Sequence, residues 1–183
     1  MIMKAKLLNT DRLILKPLSL EHLSHEYVDW LNDPEVNKFL STGGNYTLEM
    51  LKEFLTDVEK KDIYFWGIHL KENHQHIGNI KIDPINPKTG VAEYGIMMGC
   101  KAEWGKGYAK EATQRVLAYC FSELKLRKIT LGVVFDNTAA LYLYRSIGFE
   151  IEGVFKKHGF YIGKYCDVVR MAIFNPEIVS IDQ

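Results

Sequence analysis

The sequence predicts an α+β domain: one mixed, mostly antiparallel β-sheet flanked by helices. Three observations carry this. Strand-like runs between residues 63 and 98 are separated by short polar turns, as in an antiparallel meander. The strongest apolar periodicity, from Ala109 to Leu124, steps by three and four residues, the signature of a helix. Beyond it the chain alternates strand, helix, strand, strand.

Taken in order, Arg12-Leu13-Ile14-Leu15-Lys16 alternate as a strand does. Ser19 then precedes a helical stretch to about Leu31, stopped by Asn32-Asp33-Pro34. A second helix is expected over residues 47–60, with Thr47 as N-cap and Met50, Leu51, Phe54, Leu55 and Val58 as its apolar face. The meander strands fall at 63–70, 76–82 and 91–98. Tyr64, Phe65 and Trp66 read as core positions rather than a base-stacking platform. The long helix opens near Gly105 and buries Ala109, Ala112, Val116, Leu117, Cys120, Phe121 and Leu124. A β-branched strand follows at 128–135. Asp136 or Asn137 caps a short helix ending at Gly148, and final strands fall at 149–154 and 164–174. No repeat or linker interrupts the chain, so residues 1–183 read as a single domain.

Composition narrows the function. The 47% apolar and 25% charged fractions are those of a soluble globular protein. Twenty-three basic and 23 acidic residues cancel, leaving no global field for nucleic acid or an anionic membrane. The start is not that of a signal peptide, and no run reaches the ~18 apolar residues of a membrane span. Cys100, Cys120 and Cys166 are scattered, without a CxxC, which suggests a reduced cytoplasmic setting and no metal. His74 and His76 lack a third ligand and read as surface residues.

The segment Glu103-Trp104-Gly105-Lys106-Gly107-Tyr108-Ala109 lies between a strand and the long helix. Small residues there let backbone approach a ligand, and the first helical amides have no internal partner. That combination suits a pyrophosphate. Gly99 stands too far from Gly105 for a Walker A loop, and Lys110 occupies the third glycine position of a GxGxxG. A glycine-containing tight turn that merely opens a helix is the other reading of this segment alone.

The wider pattern is more specific. Trp104-Gly105-Lys106-Gly107-Tyr108-Ala109-Lys110-Glu111-Ala112 resembles motif A of the GNAT acetyltransferases, whose core is R/Q-x-x-G-x-G/A. Residues 137–149, with Asn137, Ala140, Leu143, Tyr144, Gly148 and Phe149, resemble motif B, N-x-x-A-x-x-L-Y-x-x-x-G-F. Thr10-Asp11-Arg12-Leu13-Ile14-Leu15, Trp30-Leu31-Asn32-Asp33-Pro34-Glu35-Val36 and the tail, Glu152-Gly153 with Gly163 to Val169, are similar to the RimJ/RimL-type branch. The resemblance covers nearly the whole chain. Trp104 is read as replacing the Arg or Gln of motif A, so the cradle would rest mainly on backbone amides.

What the resemblance implies is a GNAT fold whose central strands, 91–98 and 128–135, splay to form the acetyl-CoA cleft. It implies direct transfer of acetyl from acetyl-CoA to a primary amine, with no metal and no covalent enzyme intermediate. Amides near Ile96, Met97 and Met98 would meet the thioester carbonyl, a donor there being worth roughly 2.7–4 kcal/mol. Trp104, Gly105, Lys106, Gly107, Tyr108 and Ala109, with Asn137 and Ala140, would hold the cofactor. Gly95 and Gly99 are compatible with a bulge or with plain strand ends. Tyr144, two helical turns from Asn137, would protonate the departing thiolate. Phenol (~10) to thiol (~8.5) is roughly 2 kcal/mol uphill, so the transfer needs a lowered pKa or water. Glu93 is the first candidate base and Asp167 a weaker one.

A protein N-terminal α-amine, a small amine and a nucleotide-linked amino sugar all fit as acceptor. The other class of function is a catalytically silent acyl-CoA-binding sensor. The late strands offer an edge on which two copies could pair as a homodimer.

Overall fold

Antiparallel pairing builds the first strands of the sheet. β1 (Leu8–Asn9), β2 (Leu13–Pro17), β3 (Tyr64–Leu70) and β4 (His76–Asn86) pair in succession, with Leu13 opposite Leu70 and Tyr64 opposite Ile82. The computed structural model describes residues 5–40, 44–161 and 163–179; the leader reading at residues 1–4 lies outside them. With β5 (Val91–Met98), β6 (Lys128–Val134), β7 (Glu150–Tyr161) and β8 (Lys164–Phe174), the hydrogen-bonded order is β1-β2-β3-β4-β5-β6-β8-β7. β5 and β6 run parallel, while β6–β8 and β7–β8 are antiparallel. The sheet is therefore mixed, as the sequence predicts. β4 runs past its expected end through Pro84. The β3 ladder has already stopped at Ile82, so proline costs no hydrogen bond on that side.

Contacts group the chain into two compact units, residues 1–83 with 95–115 and residues 84–94 with 116–183. In the first, α1 (His25–Asn32) and α2 (Leu48–Lys60) bury Tyr27, Trp30 and Leu31 with Leu51, Leu55 and Val58, and Met97 packs against this cluster. The helix expected from Ser19 is broken. Ser19 caps a single 3-10 turn (Leu20–His22) in a capping box with His22, Leu23 is extended, and Ser24 caps α1 afresh through Tyr27 N–H. Two serines able to cap, five residues apart, divide one apolar stretch into two elements.

His22, His69 and His76 form a ring cluster with centroids 4.9–5.1 Å apart, so the surface expectation holds for His74 and not for His76. Burial depresses all three: His69 to about 4, His76 to about 3, and His22 below its ordinary value. Gly67 makes room beside them, because a Cβ there would stand 2.4 Å from His22 Nε2. Gly99 likewise leaves room for the Trp30 ring, which accounts for it without a bulge.

In the second unit, β7 continues far beyond residue 154, with register shifts at Ile151/Gly153 and Phe155/Gly159 and a left-handed Lys157. Bulges erase the two-residue alternation that would have revealed the strand. α4 (Thr138–Ile147) is capped by Asn137, whose side-chain Oδ1 accepts from Ala140 N–H, and it ends at a left-handed Gly148. α3 (Tyr108–Ser122) starts three residues after Gly105 and ends before Leu124. The one-turn α5 (Pro176–Val179) was not foreseen. Among the described residues no helix is long and apolar enough to cross a membrane.

Candidate functional site

The loop into α3 is built by two left-handed glycines, Gly105 at φ +75° and Gly107 at φ +84°. A Cβ at Gly105 would meet nothing within 4 Å, so backbone conformation and not space explains that glycine. Glu111 N–H donates to Gly107 C=O at 3.1 Å, which makes Gly107 the helix cap. A glycine cap supplies no side-chain acceptor, so the amides of Tyr108, Ala109 and Lys110 keep the open, electropositive character of a helix start.

The loop is braced from several sides. Trp104 Nε1 donates to Met98 C=O at 2.9 Å, tying the loop to the end of β5. With Gly107 and Ala109 as the G-x-A of the motif, its Arg or Gln position falls on Trp104, whose indole N–H is engaged by the Met98 carbonyl. Lys106 pairs with Glu103 at 2.9 Å. Arg12 Nη1 donates to Lys106 C=O at 2.9 Å, and its Nε and Nη2 each lie 2.7 Å from Glu111 Oε2. Glu111 also accepts from Arg12 N–H and Thr10 Oγ1. Burial opposes ionisation of Glu111, yet the hydrogen bonds from Thr10 and Arg12 hold its carboxyl below the usual range. Ile96, Met97 and Met98 form the end of β5, where the Met97 carbonyl approaches Gly78 of β4 too closely for a Cβ.

In the second unit the β5–β6 ladder has three pairs, ending at Glu93 opposite Thr130. Glu93 is held there by Arg170, whose Nη1 and Nη2 donate to its two oxygens at 2.8 and 2.7 Å, and by Thr130 Oγ1 at 2.6 Å. These charge-assisted donors stabilise the carboxylate form of Glu93. Asp167 is engaged by Lys156 Nζ and Lys157 N–H, and this lowers its carboxyl from the ordinary value.

Tyr144 is buried on α4, its ring edge-on to Tyr94 and Phe149 with centroids 5.7 Å away in each case. Among the described residues its hydroxyl has no hydrogen-bond partner, and burial pushes the phenol up to about 12. Tyr142 is exposed, as helical spacing requires. The Asn137 side-chain oxygen Oδ1 and the Ala140 N–H are committed to each other as the α4 cap. A depression of about 560 Å³ lined by Arg127, Gly148, Glu150 and Phe174 contains none of the candidate residues.

Sequence reasoning had no signal for Arg170 or for the partnership of Arg12 with Glu111. The latter joins positions 99 residues apart, and no local pattern encodes such a contact.

Residues 12–150 match the family model described as "Acetyltransferase (GNAT) domain". The chain is 28% identical over 174 residues to the uncharacterized N-acetyltransferase p20 of Bacillus licheniformis, covering 93% of this chain and 97% of that protein. It is 30% identical over 131 residues to the spermidine N(1)-acetyltransferase of Escherichia coli K12, covering 67% of this chain and 70% of that one. The structure of spermidine N-acetyltransferase from Vibrio cholerae in complex with CoA and spermine superposes with a TM-score of 0.83 at 26% identity, covering 93% of this chain and 99% of that chain. On its fold, its glycine loop and these matches, this chain belongs to the GNAT acetyltransferase family.

Proposed function

We propose that this protein is an acetyl-CoA-dependent N-acetyltransferase whose acceptor is a small primary amine of the polyamine class. The observation that carries the cofactor half is the loop at Gly105 and Gly107, which opens α3 with uncapped amides suited to a pyrophosphate. Gly105, Lys106, Gly107, Tyr108 and Ala109 hold the pyrophosphate, with Trp104 bracing the loop. Ile96, Met97 and Met98 offer amides to the thioester oxygen. Asn137 and Ala140 take part by shaping the start of α4. The acceptor half rests on the spermidine acetyltransferases of Escherichia coli and Vibrio cholerae among the similar proteins.

In the reaction the neutral amine attacks the thioester carbon, the C–S bond of the tetrahedral adduct breaks, and the amine's proton leaves to solvent. Tyr144 donates to the departing sulfur. With the phenol near 12 and a thiol near ~8.5, full proton transfer is uphill by roughly 5 kcal/mol. The hydroxyl therefore acts chiefly as a hydrogen-bond donor that stabilises the thiolate. Glu93, held by Arg170 and Thr130, fixes the end of the β5–β6 ladder rather than collecting a proton. A polyamine near ~10.4 is then mostly protonated at neutral pH, and kcat/KM rises with pH as the free amine forms.

The RimJ/RimL-type reading rests on Thr10 to Leu15, Trp30 to Val36, Glu152-Gly153 and Gly163 to Val169, and the acceptor it favours is a peptide N-terminus. A cytoplasmic setting fits three cysteines that are all free. The experiment is thiol release from acetyl-CoA with spermidine, spermine and diamines against peptide N-termini and nucleotide-linked amino sugars. Turnover confined to either of the last two classes replaces the polyamine reading. Binding of CoA without any turnover points to the sensor class.

A further inference from the structure

Two stretches singled out in the sequence, Thr10-Asp11-Arg12 and the loop into α3, meet in the first unit through one side chain. We propose that Arg12 is a positioning residue for the pyrophosphate loop, setting the direction of the Gly107 amide through the Lys106 carbonyl while neutralising Glu111. The inference rests on the acetyl-CoA reading above and deepens it.

A loop with two left-handed glycines has many conformations open to it, and something must select one. Arg12 does so at two points. Its Nη1 holds the Lys106 carbonyl at 2.9 Å, in the peptide that links Lys106 to Gly107. In a trans peptide the C=O and the following N–H point in opposite directions. A carbonyl turned to Arg12 therefore turns the Gly107 N–H away from Arg12, leaving it available to an anion on the other side of that peptide plane.

The second point is electrostatic. Glu111 lies in the first turn of α3, where its negative charge competes with a bound phosphate for the helix N-terminus. Arg12 takes up that carboxylate through Nε and Nη2, both 2.7 Å from Oε2, assisted by its own backbone N–H and by Thr10 Oγ1. The guanidinium also lies 4.4 Å from the centre of the Tyr108 ring, so it is fixed on a third side. The planar fork reaches a carbonyl and a carboxylate at once through separate nitrogens in a fixed geometry, which the single ammonium nitrogen of a lysine does not reproduce.

The test uses the full chain, with Arg12→Ala and Arg12→Lys. CoA affinity is measured by calorimetry, and kcat and KM are measured with acetyl-CoA and with S-acetylpantetheine, which lacks the pyrophosphate. Arg12→Ala is expected to weaken CoA and raise the acetyl-CoA KM by about 10–100-fold, with kcat within a few-fold, since hydrogen bonds to charged groups are at stake. Arg12→Lys, which keeps a charge and tests the idea if the alanine variant fails to fold, restores only part. S-acetylpantetheine kinetics stay as in the wild type. Equal losses with both donors would mean a merely structural arginine and overturn the proposal, as would unchanged CoA affinity in both variants. Absence of CoA binding by the wild-type protein would instead bring down the acetyl-CoA reading, and the inference with it.

Discussion

Arg170 reaches Glu93 across the bare face of Gly132. Gly132 and Arg170 are register partners on β6 and β8, and a Cβ on Gly132 would stand 2.8 Å from Arg170 Nη1, the atom that donates to Glu93 Oε1. The absence of one methyl lets an arginine on β8 span β6 and hold a carboxylate on β5, at the last rung of the parallel ladder.

Glu93→Gln is expected to lower stability by about 1–2 kcal/mol, because it leaves a partly buried guanidinium with a weaker partner. It should also lower kcat without moving the rising limb of the kcat/KM pH profile. Disappearance of that limb in the variant would return the role of base to Glu93.

Tyr144→Phe keeps the ring that packs on Tyr94 and Phe149 and removes only the hydroxyl. The thermal midpoint and the KM for acetyl-CoA should hold while kcat falls by roughly 10²-fold, the cost of losing one donor to a developing negative charge. In the wild type, with the phenol near 12, no loss of kcat from tyrosine ionisation should appear at mildly alkaline pH. A kcat unchanged by the substitution would remove Tyr144 from the chemistry.

The histidine cluster predicts acid lability. His69 and His76 titrate near 4 and 3 in the folded chain, against ~6.5 when unfolded. Below pH ~6.5 the unfolded chain takes up protons that the folded one refuses, so stability is full above that pH and falls toward pH 4, by about 1.4 kcal/mol per pH unit per proton. Thermal melts between pH 7 and 4.5 should show the fall, and His76→Gln should make it shallower. The lowered carboxyls of Glu111 and Asp167 lose their contribution only at still lower pH. A flat profile down to pH 4.5 would contradict the buried neutral cluster.

Gly105→Ala places a side chain in open space, so its cost is backbone strain alone, about 1–2 kcal/mol in the left-handed region. CoA affinity should fall as the loop relaxes, with little change in the rest of the fold by circular dichroism.

What was legible in the sequence follows from how local each cause is. Thr47 and Asn137 were readable as caps because a cap and the helix it starts are adjacent in the chain. The core of β3 was readable because Tyr64 and Trp66 share a face at two-residue spacing. β7 was half missed, since bulges and the left-handed Lys157 destroy that spacing. The split at Leu23 was missed because Ser24 was absorbed into one apolar stretch. Of the site, the glycine loop was legible from its motif. The clasp on it was not: Arg12 and Glu111 meet only once the chain has folded. His76 was misread for a similar reason, its partners His22 and His69 being brought to it by β3 and by the 3-10 turn.

The measurement that tests the central claim most directly is acetyl-CoA-dependent thiol release with spermidine, followed by mass analysis of the amine. The account predicts saturable turnover, a gain of one acetyl group on a primary nitrogen of spermidine, and a rate that climbs from pH 7 to 9. No acetylated amine from any acceptor class, in a preparation that also fails to bind CoA, would contradict it.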